Sequence, residues 1–211
     1  MAPPRFWNVP NTLTLVRLVL GLVVCGLIGY GRFPAALAVF VVAALTDAFD
    51  GYFARRLGQS SAIGRQLDPL VDKVIVSGGF IYLLSIEGTG LAPWMVTLII
   101  IRELVIQWLR SLLEGRGEAF GARSAGKLKT LFQCLAISAI LLSLSVDPAP
   151  GPSWLLARDA VTWAAVGLTL YSGLIYVRIA LPMLRPDASG AAAAVVDGKD
   201  ATNVEEVDLT P

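Results

Sequence analysis

Four aspartates stand in two close pairs, each among small residues. Asp47 and Asp50 are followed by Gly51, Ala54 and Arg55, and Gly64 is followed by Asp68 and Asp72. Residues three or four apart share a helix face. Asp47, Asp50, Gly51 and Ala54 are therefore expected on one face at the end of one helix. Gly64, Asp68 and Asp72 are expected on one face at the start of the next. Pro69 is expected in the first turn of that second helix, where a missing N–H is tolerated. A short basic connection makes the two helices antiparallel neighbours, so all four carboxylates can converge on one spot. Carboxylates that close repel one another, and hard divalent cations resolve the conflict. Mg2+ takes oxygen ligands and often binds through carboxylates plus substrate phosphates. Two such ions about 3.5–4 Å apart can clamp the attacking and leaving oxygens of a phosphoryl-type displacement. Gly51 and Ala54 leave room for a flat group such as a nucleobase, and Arg55 is placed to meet a phosphate.

The elements that must position these residues are apolar helices. Of 211 residues, 55% are hydrophobic and 16% charged, and the mean hydropathy is +0.68. A soluble domain is nearer roughly 45–50% apolar and 25% charged. A transmembrane helix needs about 20 mostly apolar residues. Six stretches qualify: residues 13–30, 33–53, 67–86, 91–112, 128–146 and 154–184. The expected fold is all-α, a polytopic membrane protein with six transmembrane helices. Residues 1–12 are expected to form an interfacial N-terminal segment and residues 13–185 the six-helix domain. Residues 186–211 form an acidic tail, rich in Ala and Gly and without aromatic residues, expected to be disordered.

The net charge of +1 hides an asymmetry. The tail carries six acids and one base, a net of −5, and the body sixteen bases and ten acids, a net of +6. Lys and Arg collect in alternate connections: Arg55, Arg56 and Arg65, then Arg116, Arg123 and Lys127, then Arg185. By the positive-inside rule those connections and both termini face the cytoplasm. The active site is then expected at the cytoplasmic face of the plasma membrane. The chain has no histidine and two cysteines. That excludes Ser-His-Asp and Cys-His triads, imidazole zinc sites and four-cysteine metal sites. No nucleic-acid partner is expected.

The first stretch fits D-x2-D-G-x2-A-R-x8-G-x3-D-x3-D at every fixed position. This resembles the signature of the CDP-alcohol phosphatidyltransferase family. The resemblance implies six transmembrane helices, a homodimer, and a CDP-linked lipid donor, CDP-diacylglycerol. It implies that Asp47, Asp50, Asp68 and Asp72 hold two Mg2+ or Mn2+ ions. It also implies that Asp72 acts as the general base and that Gly51, Ala54, Arg55 and Gly64 seat the CDP moiety.

The signature names the donor and not the acceptor. The stretch from Asn8 to Arg17 is similar to the opening of bacterial phosphatidylglycerophosphate synthases. So are Arg102-Glu103, Arg110 and the run from Ser124 to Thr130. That likeness implies glycerol 3-phosphate as the acceptor. Glu103, Gln107 and Arg110 share a helix face by spacing. Arg102 and Glu103 lie within an apolar helix, where a charge needs a partner or a wet cavity. Arg110, Lys127 and Lys129, with Arg178 as a weaker candidate, suit a phosphomonoester. The alternatives are another acceptor in the same family, as in cardiolipin synthase or phosphatidylinositol phosphate synthase. More remote is a cation-coupled transporter, which would place carboxylates near the bilayer midplane and often shows inverted repeats.

Overall fold

The structure, a computed structural model, describes residues 9–57, 62–114, 124–146 and 151–183. Six helices make it up: α1 (Val9–Gly29), α2 (Phe33–Leu57), α3 (Ala62–Leu84), α4 (Pro93–Glu114), α5 (Ser124–Ser145) and α6 (Pro152–Met183). Among the described residues there is no strand. The tail of residues 186–211 and the segment before Val9 lie outside the described residues.

Each helix is apolar on two sides. Ile99, Ile106, Leu109 and Leu113 of α4 are buried, while Leu104 and Trp108 of the same helix are 62% and 63% exposed. Leu22 of α1 and Leu156 and Leu174 of α6 are likewise exposed. A helix apolar all round suits a lipid surround, because a water-soluble surface does not carry so much contiguous apolar area. The stretches Leu128–Ser145 and Pro152–Met183 are long and apolar enough to cross a membrane. At about 1.5 Å per residue, the 32 residues of α6 exceed the roughly 30 Å hydrocarbon core. Among the described residues α1, α2 and α3 carry shorter apolar stretches, Thr14–Gly29, Phe33–Thr46 and Lys73–Leu84.

Helix α1 lies against α2 and α3; α5 against α2, α3 and α6; and α4 against α3 and α6. One apolar core joins all six, from Val24 and Ile28 through Phe40, Phe80, Ile99 and Ile140 to Val166. A second, smaller cluster of Ile106, Leu109, Leu113, Tyr176 and Ala180 ties α4 to α6. At the far end, Arg158 is buried and straps the α3–α4 connection to α6. Its Nη1 donates to the carbonyl of Gly88 and its Nη2 to Asp159 Oδ1 at 2.7 Å. Gly90 has φ +73° and a Cβ there would meet Asp159 Oδ1 at 2.6 Å, so only glycine fits. Trp94 and Trp163, centroids 5.6 Å apart, join α4 to α6.

Two helix starts differ from the hydropathy. Helix α1 begins at Val9, four residues before the apolar stretch, with Pro10 in its first turn. Helix α3 begins at Ala62, which makes Pro69 its eighth residue and not part of its first turn. A proline there has no N–H to offer the carbonyl of Arg65, four residues back. Hydropathy marks where a helix is apolar, whereas the helix itself continues through polar turns.

Helices α1 and α3 approach closely because Gly21 has no side chain: a Cβ there would collide with Cγ1 of Ile75. A Cβ on Gly26 would meet nothing within 4 Å. We expect Gly21→Ala to destabilise the protein by about 1–3 kcal/mol through overpacking. Gly26→Ala should be neutral or slightly stabilising, since alanine is the better helix former. Thermal unfolding in detergent measures both, and equal melting temperatures would contradict the close crossing.

Candidate active site

A cavity of about 60 Å3 opens among α1, α2, α3 and α5, and Arg17, Ala43, Ala44, Ile75, Val76 and Thr130 line it. Arg17 is only 4% exposed. Along α2, Asp47 follows Ala43 and Ala44 by four and three residues. Along α3, Asp72 precedes Ile75 and Val76 by three and four. A helical turn is about 3.6 residues, so Asp47 and Asp72 each stand one turn from the cavity lining. Asp50, Gly51, Ala54 and Arg55 continue along α2, and Gly64 and Asp68 lead into Asp72 on α3. The side chains of all eight signature residues lie outside the described residues, as does that of Lys127 in the first turn of α5. Among the described residues no group of three or more His, Cys, Asp or Glu could hold a metal.

Beside the cavity a polar layer crosses the bundle between the two apolar clusters. Glu103 of α4 is its centre. Its Oε1 accepts from Lys129 Nζ of α5 and from Arg102 Nη1 at 3.3 Å. Arg102 Nη2 donates to Ser172 Oγ of α6 at 2.9 Å, and the guanidinium lies 5.6 Å from the Tyr176 ring centroid. Gly173 lets the arginine lie along α6: a Cβ there would stand 3.0 Å from Arg102 Cγ. One turn along α4 from Glu103, Gln107 Oε1 accepts from Lys73 Nζ of α3. Gln133 Nε2 of α5 donates to Thr169 Oγ1 of α6 at 2.9 Å. That hydroxyl donates in turn to the carbonyl of Ala165 at 2.6 Å.

The expected acceptor residues fall in different places. Lys129 is 5% exposed and engaged by Glu103. Arg110 is half-buried on α4, and its Nε is enclosed without a hydrogen bond among the described residues. Arg178 is exposed on α6. The charges expected to need partners have them: Arg102 meets Glu103, Ser172 and Tyr176. The face shared by Glu103, Gln107 and Arg110 was legible from spacing, but Lys73, Ser172 and Gln133 were not singled out. The signal for Lys73 was its place in the chain, directly after Asp72. Nothing in spacing pointed to Ser172, which lies 70 residues from Arg102.

Comparison with known proteins agrees with this architecture. The chain is 36% identical over 187 residues to CDP-diacylglycerol–glycerol-3-phosphate 3-phosphatidyltransferase of Bacillus subtilis (strain 168), covering 81% of this chain and 93% of the relative. It is 35% identical over 185 residues to the protein of the same name from Escherichia coli (strain K12), covering 82% and 95%. Its fold is similar to the crystal structure of Mycobacterium tuberculosis phosphatidylinositol phosphate synthase with CDP-DAG bound. The TM-score there is 0.60 at 16% identity, over 88% of this chain and 92% of that one. The same protein in complex with manganese and citrate gives a TM-score of 0.59 at 15% identity, over 86% of each chain. At such identities the likeness is one of fold. The family model of the CDP-alcohol phosphatidyltransferases matches residues 7–171, and the chain belongs to that family.

Proposed function

We propose that this enzyme is an integral-membrane phosphatidyltransferase that moves the phosphatidyl group of CDP-diacylglycerol onto sn-glycerol 3-phosphate. The products are phosphatidylglycerophosphate and CMP. Relatives at 35–36% identity carry that activity in their names. The observation that carries the choice of acceptor is the charge of the polar layer. Among the described residues, Arg102 and Lys129 meet the carboxylate of Glu103, with Arg110 near Arg102 and Lys73 near Lys129. Bases gathered inside an apolar bundle suit an anionic ligand, and a phosphomonoester is one.

In this reading Asp47, Asp50, Asp68 and Asp72 hold divalent ions. Four carboxylates are the oxygen-only donor set that Mg2+ and Mn2+ prefer, and two of them stand one turn from the cavity. Bound ions supply neutralisation of the donor's diphosphate charge. Gly51, Ala54, Arg55 and Gly64 seat the CDP moiety. Arg110, Lys127 and Lys129 draw in the acceptor phosphate, with Arg178 at the rim. Asp72 takes the proton of the 1-hydroxyl. The oxygen attacks the phosphorus that bears the diacylglycerol oxygen, the bond from that phosphorus to the CMP oxygen breaks, and CMP leaves. Positioning and charge neutralisation account for most of the acceleration. All six helices span the bilayer in this reading, with both termini and the active site on the cytoplasmic side. The protein acts as a homodimer.

Four measurements test the proposal. In detergent micelles with CDP-diacylglycerol and Mg2+, sn-glycerol 3-phosphate should release CMP well above the rates with phosphatidylglycerol or inositol phosphate. A faster reaction with another alcohol would overturn the acceptor. Chelation of divalent ions should abolish that release, and Mg2+ or Mn2+ should restore it. Asp72→Asn should lower turnover by a factor on the order of a thousand or more while the protein still elutes as a folded species; near-normal turnover would refute Asp72 as the base. For the topology, green fluorescent protein fused after residue 183 should fluoresce, and alkaline phosphatase at the same point should be inactive. The opposite pair of results would place the C-terminus outside.

A further inference from the structure

Among the described residues Glu103 uses one of its two carboxylate oxygens. It is 6% exposed, and both of its ion-pair partners, Lys129 and Arg102, meet the same atom, Oε1. Among the described residues Oε2 accepts no hydrogen bond. An ionised carboxylate offers about four lone-pair sites, and Oε2 is not among the enclosed unpaired atoms, so it is open to a donor from a ligand. The other charged groups of the layer are donors, and the neutral acceptors Gln107 Oε1, Ser172 Oγ and Thr169 Oγ1 are engaged within it. Arg102 Nε and Arg110 Nε are enclosed without hydrogen bonds among the described residues. Lys73 reaches the layer from α3, as the chain neighbour of Asp72. Thr130, the neighbour of Lys129, lines the cavity. The layer thus presents positive donors and one carboxylate oxygen able to accept. The ligand chemistry complementary to both is a phosphorylated polyol: its phosphate meets the cations and a hydroxyl meets the oxygen.

We propose that Glu103 is a specificity-determining residue whose Oε2 takes the hydrogen bond of the acceptor's non-reacting hydroxyl, the 2-hydroxyl of glycerol 3-phosphate. The assignment rests on glycerol 3-phosphate being the acceptor. Lys129 and Arg102 fix Oε1, and through it the plane of the carboxylate, so Oε2 has a set direction. Ser172 and Tyr176 fix Arg102 in turn. An acceptor without that hydroxyl leaves Oε2 desolvated and unmet, and a site built around a charged hydrogen bond rejects such an analogue strongly. A Glu103 that acted only as a counter-ion for Lys129 and Arg102 would treat both acceptors alike.

The experiment compares sn-glycerol 3-phosphate with propane-1,3-diol monophosphate, which keeps the phosphate and the reacting hydroxyl and lacks the 2-hydroxyl. CMP release by the full-length protein in micelles, with CDP-diacylglycerol and Mg2+, gives kcat/KM for each. The wild type should prefer glycerol 3-phosphate by at least about tenfold. Glu103→Gln, which keeps an oxygen for Lys129 and Arg102, should shrink that preference to within about threefold by losing rate on glycerol 3-phosphate. Glu103→Ala should shrink it as far, if it folds. Arg110→Gln should slow both acceptors by a similar factor and keep the preference. A wild type that uses both acceptors equally overturns the proposal without any variant. So does a Glu103→Gln protein that is slower on both by the same factor. A wild type that releases no more CMP with glycerol 3-phosphate than without acceptor refutes the acceptor itself, and the role of Glu103 with it.

Discussion

A carboxylate buried among apolar helices must be met by cations, and Glu103 is met by two, on different helices. Lys129 comes from α5, and Arg102, beside it on α4, reaches across to Ser172 and Tyr176 of α6. In water such contacts would be worth little. In a bundle with apolar inner and outer faces, no partner can be removed without leaving a charge uncompensated, and that costs about 3–5 kcal/mol. The register of α4, α5 and α6 is therefore held by charge as well as by shape. The polar layer also divides the apolar interior into the main core and the Ile106–Tyr176 cluster.

The same layer adjoins the cavity, since Thr130 beside Lys129 lines it. Gly21 lets α1 settle onto α3, and Arg17 is carried with α1 to the wall of the cavity. From that wall α2 runs one turn outward to Asp47, and α3 comes in from Asp72. Cations stand on α3, α4 and α5, and the aspartates of the signature on α2 and α3. The far end of the bundle is built differently. There Arg158 and Asp159 form a strap over the Gly88–Gly90 turn, which holds α3, α4 and α6 together.

Much of this was legible in the residues. The spacing of the aspartates and small residues carried the likeness to the family that the whole chain then showed. The six apolar stretches located six helices, and the charges inside the fourth announced a polar interior. The helix ends were less legible. Helix α3 starts five residues before its apolar stretch, and Pro69 sits well inside it, because a helix tolerates polar turns that hydropathy does not register. Pairings between helices were not legible at all. Lys73 with Gln107 and Arg158 with Gly88 join residues 34 and 70 apart, and neither pair shows in a local pattern.

The sequence by itself determined the reaction class and the helical frame, since both depend on short-range periodicity and on which side chains carry oxygen or charge. Only the tertiary structure decided what each charge does. Lys129, Arg110 and Arg178 look alike along the chain. The fold places the first against Glu103, leaves an enclosed nitrogen on the second and exposes the third. The physical reason is that a charge acquires its role from desolvation and from the partner it meets there. Both depend on which helix faces pack together, and no single helix contains that information.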